Sequence, residues 1–194
     1  MRRRNGSKRT GLLRQLRTAR VLFDTRDFAA AEVLLRSLLP DCEAELGANH
    51  EETIGLLNLL GSTLYQQRKA AASAQIAREA TDRAARAWGP DDPATLDCAH
   101  NLGGALAIQG DVSASVAVLD DTWQRRARLL GAAHESTLTT ANTLGATLFA
   151  AGLRRDGLTI LRRAHAQSTG LPAGHPVRED IAGNLRIAER NAGG

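Results

Sequence analysis

Asp97, Cys98 and His100 are the residues whose types and spacing come nearest to a metal site. A carboxylate, a thiolate and an imidazole are all good ligands for zinc. The surrounding sequence predicts a helix, however, and residues two apart on a helix point about 200° away from each other. Cys98 and His100 therefore cannot bind one ion, and we expect neither a metal nor another cofactor.

The motifs of common catalytic sites are missing from the sequence. Gly103, Gly104 and Gly110 lack the Lys-Ser/Thr pair of a phosphate-binding loop, and neither Gly-x-Ser-x-Gly nor His-Glu-x-x-His occurs. His50 and His134 occupy equivalent connector positions, where we expect them to hydrogen-bond local backbone, with acid sensing as the alternative. No catalytic centre is indicated, so we expect a protein that is not an enzyme.

The elements that must position any site follow a repeat of 42 residues. Two glycine series keep this spacing: Gly61, Gly103 and Gly145 within Leu-Gly-x-x-Leu blocks, and Gly47, Gly89 and Gly131 at the start of polar connectors. A third series of small residues is Ala31, Ser73, Ser115 and Gly157. Apolar residues recur every three or four positions, which predicts helices, and a period of this size predicts stacked helical repeats. Because glycine within a helix costs about 1 kcal/mol relative to alanine, we expect the helical glycines where paired helices touch closely.

The composition favours an all-α protein. Hydrophobic residues make up 43% of the chain and aromatic residues only 3%, while alanine, leucine and arginine dominate. Cys42 and Cys98 lack spaced partners for a zinc site or a disulfide framework, so we expect reduced packing residues. No apolar run is long enough to span a bilayer, and the first eleven residues lack the apolar stretch of a secretory signal. We therefore expect a cytoplasmic protein without a membrane segment.

The net charge of +4 is concentrated at the N-terminus. Residues 1–20 contain eight basic residues and no acidic one, and the rest of the chain is net negative. We predict a basic disordered tail over 1–10, because it has no apolar residue after Met1, and a single repeat domain over 11–194. The predicted repeats span about 11–47, 48–89, 90–131 and 132–172, followed by a capping helix over 176–191.

The Leu-Gly-x-x-Leu blocks, the small-residue series and the connectors GANHEET, GPDDPAT and GAAHEST resemble tetratricopeptide repeats. Their 42-residue spacing is similar to the long variant found in kinesin light chains and many bacterial proteins. The resemblance covers residues from about 12 to 191. It implies an α-solenoid of antiparallel helix pairs, wound as a right-handed superhelix and closed by a C-terminal capping helix.

The resemblance also implies a groove lined by the first helix of each pair. Asparagines near the Leu-Gly or Leu-Ala pairs resemble those that hydrogen-bond the backbone of an extended peptide, since an amide offers both a donor and an acceptor. Two aromatic residues at equivalent positions would pack against ligand side chains. The predicted peptide-binding residues are Asn58, Tyr65, His100, Asn101, Asn142 and Phe149. The alternative is that these residues are solvated positions on helices.

We therefore expect a non-catalytic scaffold that binds a peptide or a segment of a partner protein in its groove. The alternative is a regulatory component whose basic N-terminus contacts nucleic acid or an acidic partner, while the repeats dimerise or sense a peptide. Nucleic acid is expected only at that N-terminal tail, and no membrane partner is expected.

Overall fold

The computed structural model describes residues 2–192, with side chains described from 8 to 191. Between residues 2 and 192 the chain forms helices and no strand, as the predicted all-α class requires. The helices are α1 (Arg2–Asp24), α2 (Phe28–Glu45), α3 (Glu51–Gln66), α4 (Ala70–Trp88), α5 (Pro93–Gln109), α6 (Val112–Leu130), α7 (Glu135–Ala150), α8 (Arg154–Ser168) and α9 (Pro176–Ala192).

The chain packs as two compact units, Met1–Gln109 with α1 to α5 and Gly110–Gly194 with α6 to α9. Within each unit every helix packs against the next one, and alternate helices also touch, as α3 does α5 and α7 does α9. Such nearest-neighbour packing is typical of stacked helical repeats. The sequence suggested one domain over 11–194, whereas the packing divides this range at Gly110. The individual repeat boundaries stay a prediction.

The N-terminal segment differs from the expectation of a disordered tail over 1–10. Helix α1 begins at Arg2, so residues 2–10 are helical, and Met1 lies outside the described residues. Arginine and lysine are good helix formers, and α1 is anchored further along by the buried Leu12. The ammonium group of Lys8 also lies 3.1 Å from the Glu45 carboxylate of α2. Helix propensity and these contacts together account for the longer helix.

The leucine stripes predicted from the sequence form the cores of both units. In the first unit, Leu60 and Leu64 of α3 pack with Leu35 and Leu38 of α2. In the second unit, Leu144 and Leu148 of α7 pack with Leu119 and Trp123 of α6 and with Ile181 of α9. The two cysteines are buried and free, in agreement with their predicted packing role.

Close approach of paired helices explains one helical glycine and not another. A Cβ atom added to Gly145 would lie 2.8 Å from Leu161 Cγ and 3.2 Å from the Gly157 carbonyl oxygen, so α7 and α8 cross too closely for a side chain. A Cβ atom on Gly61 would meet Ala77 of α4 at 3.5–3.6 Å, which is ordinary contact. The prediction that glycine is needed for close contact is therefore right for Gly145 and wrong for Gly61.

The ends of the helices are capped largely as the connectors predict. The Nδ1 atoms of His50 and His134 accept hydrogen bonds of 3.2 Å from the backbone N–H groups of Glu52 and Ser136. This contact confirms the expected local role of the two histidines, because an N-cap acceptor satisfies a backbone donor that the helix leaves free. Gly89 ends α4 with a φ of +92°, a conformation that other residues rarely adopt.

Candidate functional site

One face of α3 and one face of α5 share a polar network in the first unit. Asn58, Ser62 and Tyr65 are four and three residues apart, a spacing that places them on one side of α3. The amide nitrogen of Asn101 on α5 donates to Asn58 Oδ1 at 2.8 Å and to Ser62 Oγ at 3.2 Å. The Ser62 hydroxyl in turn donates to the Asn58 backbone carbonyl at 3.0 Å. The structure thus brings Asn58 and Asn101 together and adds Ser62, which the sequence analysis missed.

This network orients the two amides and leaves part of each available. Asn58 Nδ2 and Asn101 Oδ1 have no hydrogen-bond partner among the residues with described side chains, 8–191. Both side chains are half-buried, so the remaining donor and acceptor are held in fixed directions. A peptide unit offers one N–H and one C=O, so the pair of asparagines has the complementary groups for one peptide unit.

Tyr65 lies beside this network. A Cβ atom added to Gly104 of α5 would be 3.5 Å from Tyr65 Cε2, so the ring lies across the surface of α5 at a buried glycine. Tyr65 is still 37% exposed. An exposed ring supported by a neighbouring helix can pack against an apolar side chain of a ligand.

The end of α3 that carries Tyr65 is fastened to α2 by Glu32. Gln67 Nε2 donates to the Glu32 carboxylate at 2.8 Å, and Lys69 Nζ lies 2.6 Å from the same carboxylate oxygen. The hydrogen bond from Lys69 is the main reason that the pKa of Glu32 falls from 4.5 to about 2. These contacts limit the movement of the helix end on which the aromatic ring depends.

The second unit repeats the asparagine pair and changes the aromatic position. Asn184 Nδ2 of α9 donates to Asn142 Oδ1 of α7 at 3.0 Å. Phe149, the counterpart of Tyr65, is half-buried and packs against a cluster that contains Leu161, Leu185 and Ala188. The Phe149 ring is therefore part of the packing between α7, α8 and α9, whereas the Tyr65 ring stays partly exposed.

His100 is half-buried on α5, one residue before Asn101. Neighbouring residues on a helix point about 100° apart, so the two side chains leave α5 in different directions. The 42-residue period makes His100 the counterpart of Asn58 and Asn142, but it is Asn101 that bonds to Asn58. The structure therefore brings Asn101, and not His100, into the network.

The chemistry of Cys98 is that of a packing residue. Its side chain is 2% exposed, and burial raises the pKa of the thiol to about 12, with a smaller contribution from the Asp97 carboxylate. A thiol that stays protonated is neither a nucleophile nor a metal ligand. Within the part of the chain that the structure describes, no three His, Cys, Asp or Glu side chains form a metal-binding group. Nor is any helix in that part long and apolar enough to cross a membrane.

Comparison with known proteins gives a family match over much of the chain. A family model described as tetratricopeptide repeat matches residues 19–52, 53–94 and 95–136, which is more than half of the sequence. No curated protein matches the chain.

Solved structures give a second line of comparison. A putative kinesin light chain from Podosopora anserina with nearly identical TPR-like repeats is similar with a TM-score of 0.79 and 21% identity, over 94% of this chain and 87% of that one. A point variant of the same fungal protein gives a TM-score of 0.80 at the same identity, over 94% of this chain and 86% of that one. BtubC (BKLC) from P. vanneervenii gives 0.77 at 16% identity, over 99% and 84%. At these identities the likeness is one of fold.

Proposed function

The chain belongs to the tetratricopeptide repeat family, in its kinesin-light-chain-like form, and from that premise we propose that it binds an extended segment of a partner protein. Tetratricopeptide repeats serve as protein-interaction scaffolds. The finer proposal is that the segment lies along the faces of α3 and α5 that carry Asn58, Tyr65 and Asn101.

The observation that carries this proposal is the hydrogen-bonded pair of Asn58 and Asn101. The 2.8 Å bond between their amides leaves Asn58 Nδ2 as a donor and Asn101 Oδ1 as an acceptor. Two groups already held in place lose little side-chain entropy when a ligand binds, which favours affinity. Since they match the backbone of a peptide, the contact tolerates different ligand side chains. The pair of Asn142 and Asn184 in the second unit supports the same role there.

Tyr65 supplies the apolar part of the proposed site. Backbone hydrogen bonds give little preference for one sequence over another, whereas an aromatic ring favours an apolar side chain at one position. The preferred segment is therefore extended and carries an apolar residue near the point where it passes Gly104. In the second unit Phe149 is committed to packing and contributes less.

The proposed function can be tested without knowing the natural partner. Random linear peptides displayed on phage would be selected on the purified full chain, and the affinity of the recovered peptides measured by calorimetry. The groove variant combines Asn58→Ala, Asn101→Ala and Asn142→Ala. A matched control makes three changes of exposed polar residues on second helices: Ser37→Ala, Gln124→Ala and Thr159→Ala.

We expect the groove variant to bind about tenfold to a thousandfold more weakly, since each lost amide contact costs about 0.5–1.5 kcal/mol. The control should bind as the parent does. Equal affinity of the groove variant and the parent, with both folded by circular dichroism, would place the interface elsewhere. Peptides whose binding depends strongly on salt and survives the groove changes would favour the basic helix α1 as the interface.

A sharper variant separates the ligand contact from the internal one. Asn58→Asp keeps an oxygen that accepts from Asn101 Nδ2 but replaces the free N–H donor by a second acceptor. The fold and the internal bond should survive, while a peptide carbonyl would now face a carboxylate. We expect peptide affinity to fall at least as far as for Asn58→Ala. Retained affinity would show that the free donor of Asn58 makes no contact.

A further inference from the structure

The N-terminal edge of the first unit has a cavity between α1 and α2. It has a volume of about 290 Å³ and is lined by Leu12, Gly11, Asp41 and Glu45, among others. A Cβ atom on Gly11 would meet nothing within 4 Å, so the side of α1 at this point is open. Asp41 is exposed and takes part in no ion pair among the residues with described side chains. Glu45 pairs with Lys8, whose side chain is 69% exposed.

The C-terminal edge of the second unit is the outer face of α9. Gly183, Arg186, Ile187 and Arg190 lie together on this face. At the matching positions of α7, 42 residues earlier, Leu144 and its neighbours are buried against other helices. On α9 the same face is open, because Ile187 is 49% exposed and a Cβ atom on Gly183 would meet nothing within 4 Å.

We propose that these two edges bind each other in different copies of the chain, so that the C-terminal edge of one copy docks on the N-terminal edge of the next. The occupant of each edge is a second copy of this protein. The inference concerns an interface separate from the proposed peptide groove and does not depend on it.

Charge complementarity carries the argument. Arg186 and Arg190 are four residues apart on α9, and Asp41 and Glu45 are four residues apart on α2. Four residues are about one helical turn, so each pair forms a short row along its own helix. Placing α9 along α2 sets two arginines against two carboxylates at the same spacing. Neither arginine has an acidic partner among the residues with described side chains, so docking breaks no existing bridge of α9.

The apolar and small residues at the edges agree with this arrangement. Ile187 lies between the two arginines on α9, and the cavity between α1 and α2 has Leu12 in its lining. Gly11 and Gly183 both face open space, which allows two helix backbones to approach closely. Placing Ile187 against Leu12 removes an exposed isoleucine from water.

An interface between two different surfaces is heterologous, so it continues from copy to copy unless the rotation closes a ring. The competing explanation is that charged ends keep the terminal helices in solution, as capping elements do. The two explanations differ in whether opposite charges at the two ends act on each other.

Sedimentation velocity of the full chain provides the test, from about 10 μM to 1 mM, the range in which small interfaces associate. We expect the average mass to rise with concentration at low salt and to fall when salt is added, because exposed charge pairs are screened. A parent that stays monomeric throughout this range would overturn the proposal.

Charge-swap variants identify the surfaces. One variant carries Asp41→Arg and Glu45→Arg, and the other carries Arg186→Glu and Arg190→Glu. Each alone should remain monomeric, while an equimolar mixture should form dimers and nothing larger, because only one of the possible junctions then has opposite charges. Self-association of either variant, or a mixture that stays monomeric when the parent associates, would refute the assignment.

A steric variant guards against a purely electrostatic artefact. Gly183→Tyr adds a large side chain where the structure has open space, so folding should be preserved and even favoured by helix propensity. We expect association to be lost, with the melting temperature of the parent retained or raised. Undiminished association of this variant would show that the outer face of α9 is not the docking surface.

Discussion

Gly157→Ala tests how closely α7 and α8 cross in the second unit. A Cβ atom at Gly157 would lie 2.7 Å from the Gly145 carbonyl oxygen, 2.7 Å from the Phe149 backbone nitrogen and 2.9 Å from Phe149 Cβ. Carbon atoms at ordinary contact are about 3.5–4.0 Å apart. Two of these three neighbours are backbone atoms of α7, which cannot rotate out of the way as a side chain could. The helices must therefore separate to admit a single methyl group.

The expected loss follows from two opposing contributions. Overpacking typically costs about 1–3 kcal/mol, and a clash with backbone belongs at the upper end of that range. Alanine regains about 1 kcal/mol of helix propensity relative to glycine. The net expected destabilisation is about 2 kcal/mol, much of it from the contacts of Leu161 and Ala164, which are 1% and 0% exposed.

The matched control is Gly61→Ala at the equivalent position of the first helix in the other unit. A Cβ atom at Gly61 would lie 3.5–3.6 Å from Ala77, so no clash opposes the gain in helix propensity. We expect this variant to be unchanged or more stable by up to about 1 kcal/mol.

Thermal melting by circular dichroism, supported by urea titration, measures both variants. For a domain of 60–100 residues about 1 kcal/mol shifts the melting temperature by roughly 4–8 °C, so Gly157→Ala should lower it by on the order of 10 °C. Trp123 fluorescence follows the second unit, in which this tryptophan is 8% exposed. If Gly157→Ala melts at or above the parent temperature, the close crossing of α7 and α8 is wrong.

Three further predictions concern the first unit and the helix caps. Because the pKa of Glu32 is lowered from 4.5 to about 2, its ionised form stabilises the fold fully above pH 4.5, and this contribution is lost as the pH falls towards 2. Glu32→Gln should therefore lower stability by on the order of 1 kcal/mol at pH 6, given the half-exposed Lys69 partner, and melting curves of variant and parent should converge near pH 2; a constant difference would contradict the ion pair. Cys42 and Cys98 are buried, and burial raises the pKa of each thiol, so a disulfide reagent at about pH 8 should react with them slowly until denaturant opens the unit; rapid labelling of the native protein would contradict this. His134→Ala should cost about 0.5–2 kcal/mol in urea unfolding, since the N–H of Ser136 loses its acceptor, and an unchanged midpoint would show that the cap contributes nothing.

The class of fold and much of the core can be read from the sequence. The 42-residue period and the leucines at helical spacing require helices that bury one stripe against their neighbours, and Leu60, Leu64 and Leu144 lie in the cores as this pattern predicts. The caps at His50 and His134 are also local, since they depend on residues two apart in the chain. Local and periodic signals of this kind survive in any arrangement of the stacked helices.

The candidate site depended on tertiary structure at several points. The period assigns His100 to the series of Asn58 and Asn142, yet the hydrogen bond to Asn58 comes from Asn101. A shift of one residue turns a side chain by about 100°, so the choice depends on how α5 is rotated against α3, which no repeat pattern specifies. The role of Ser62 was missed for the same reason, although it lies one turn beyond Asn58.

The helical glycines illustrate the same division. Their common register was evident from the sequence, but Gly145 is needed and Gly61 is replaceable. Across from Gly61 stands Ser73, whose hydroxyl donates to the Gly61 carbonyl at 2.9 Å, whereas Gly157 brings no side chain to the crossing with Gly145. The sequence by itself determined that small residues meet at each crossing. The distance between the helix backbones was decided by the packing around them, because side-chain volumes across the whole interface set how closely two helices approach.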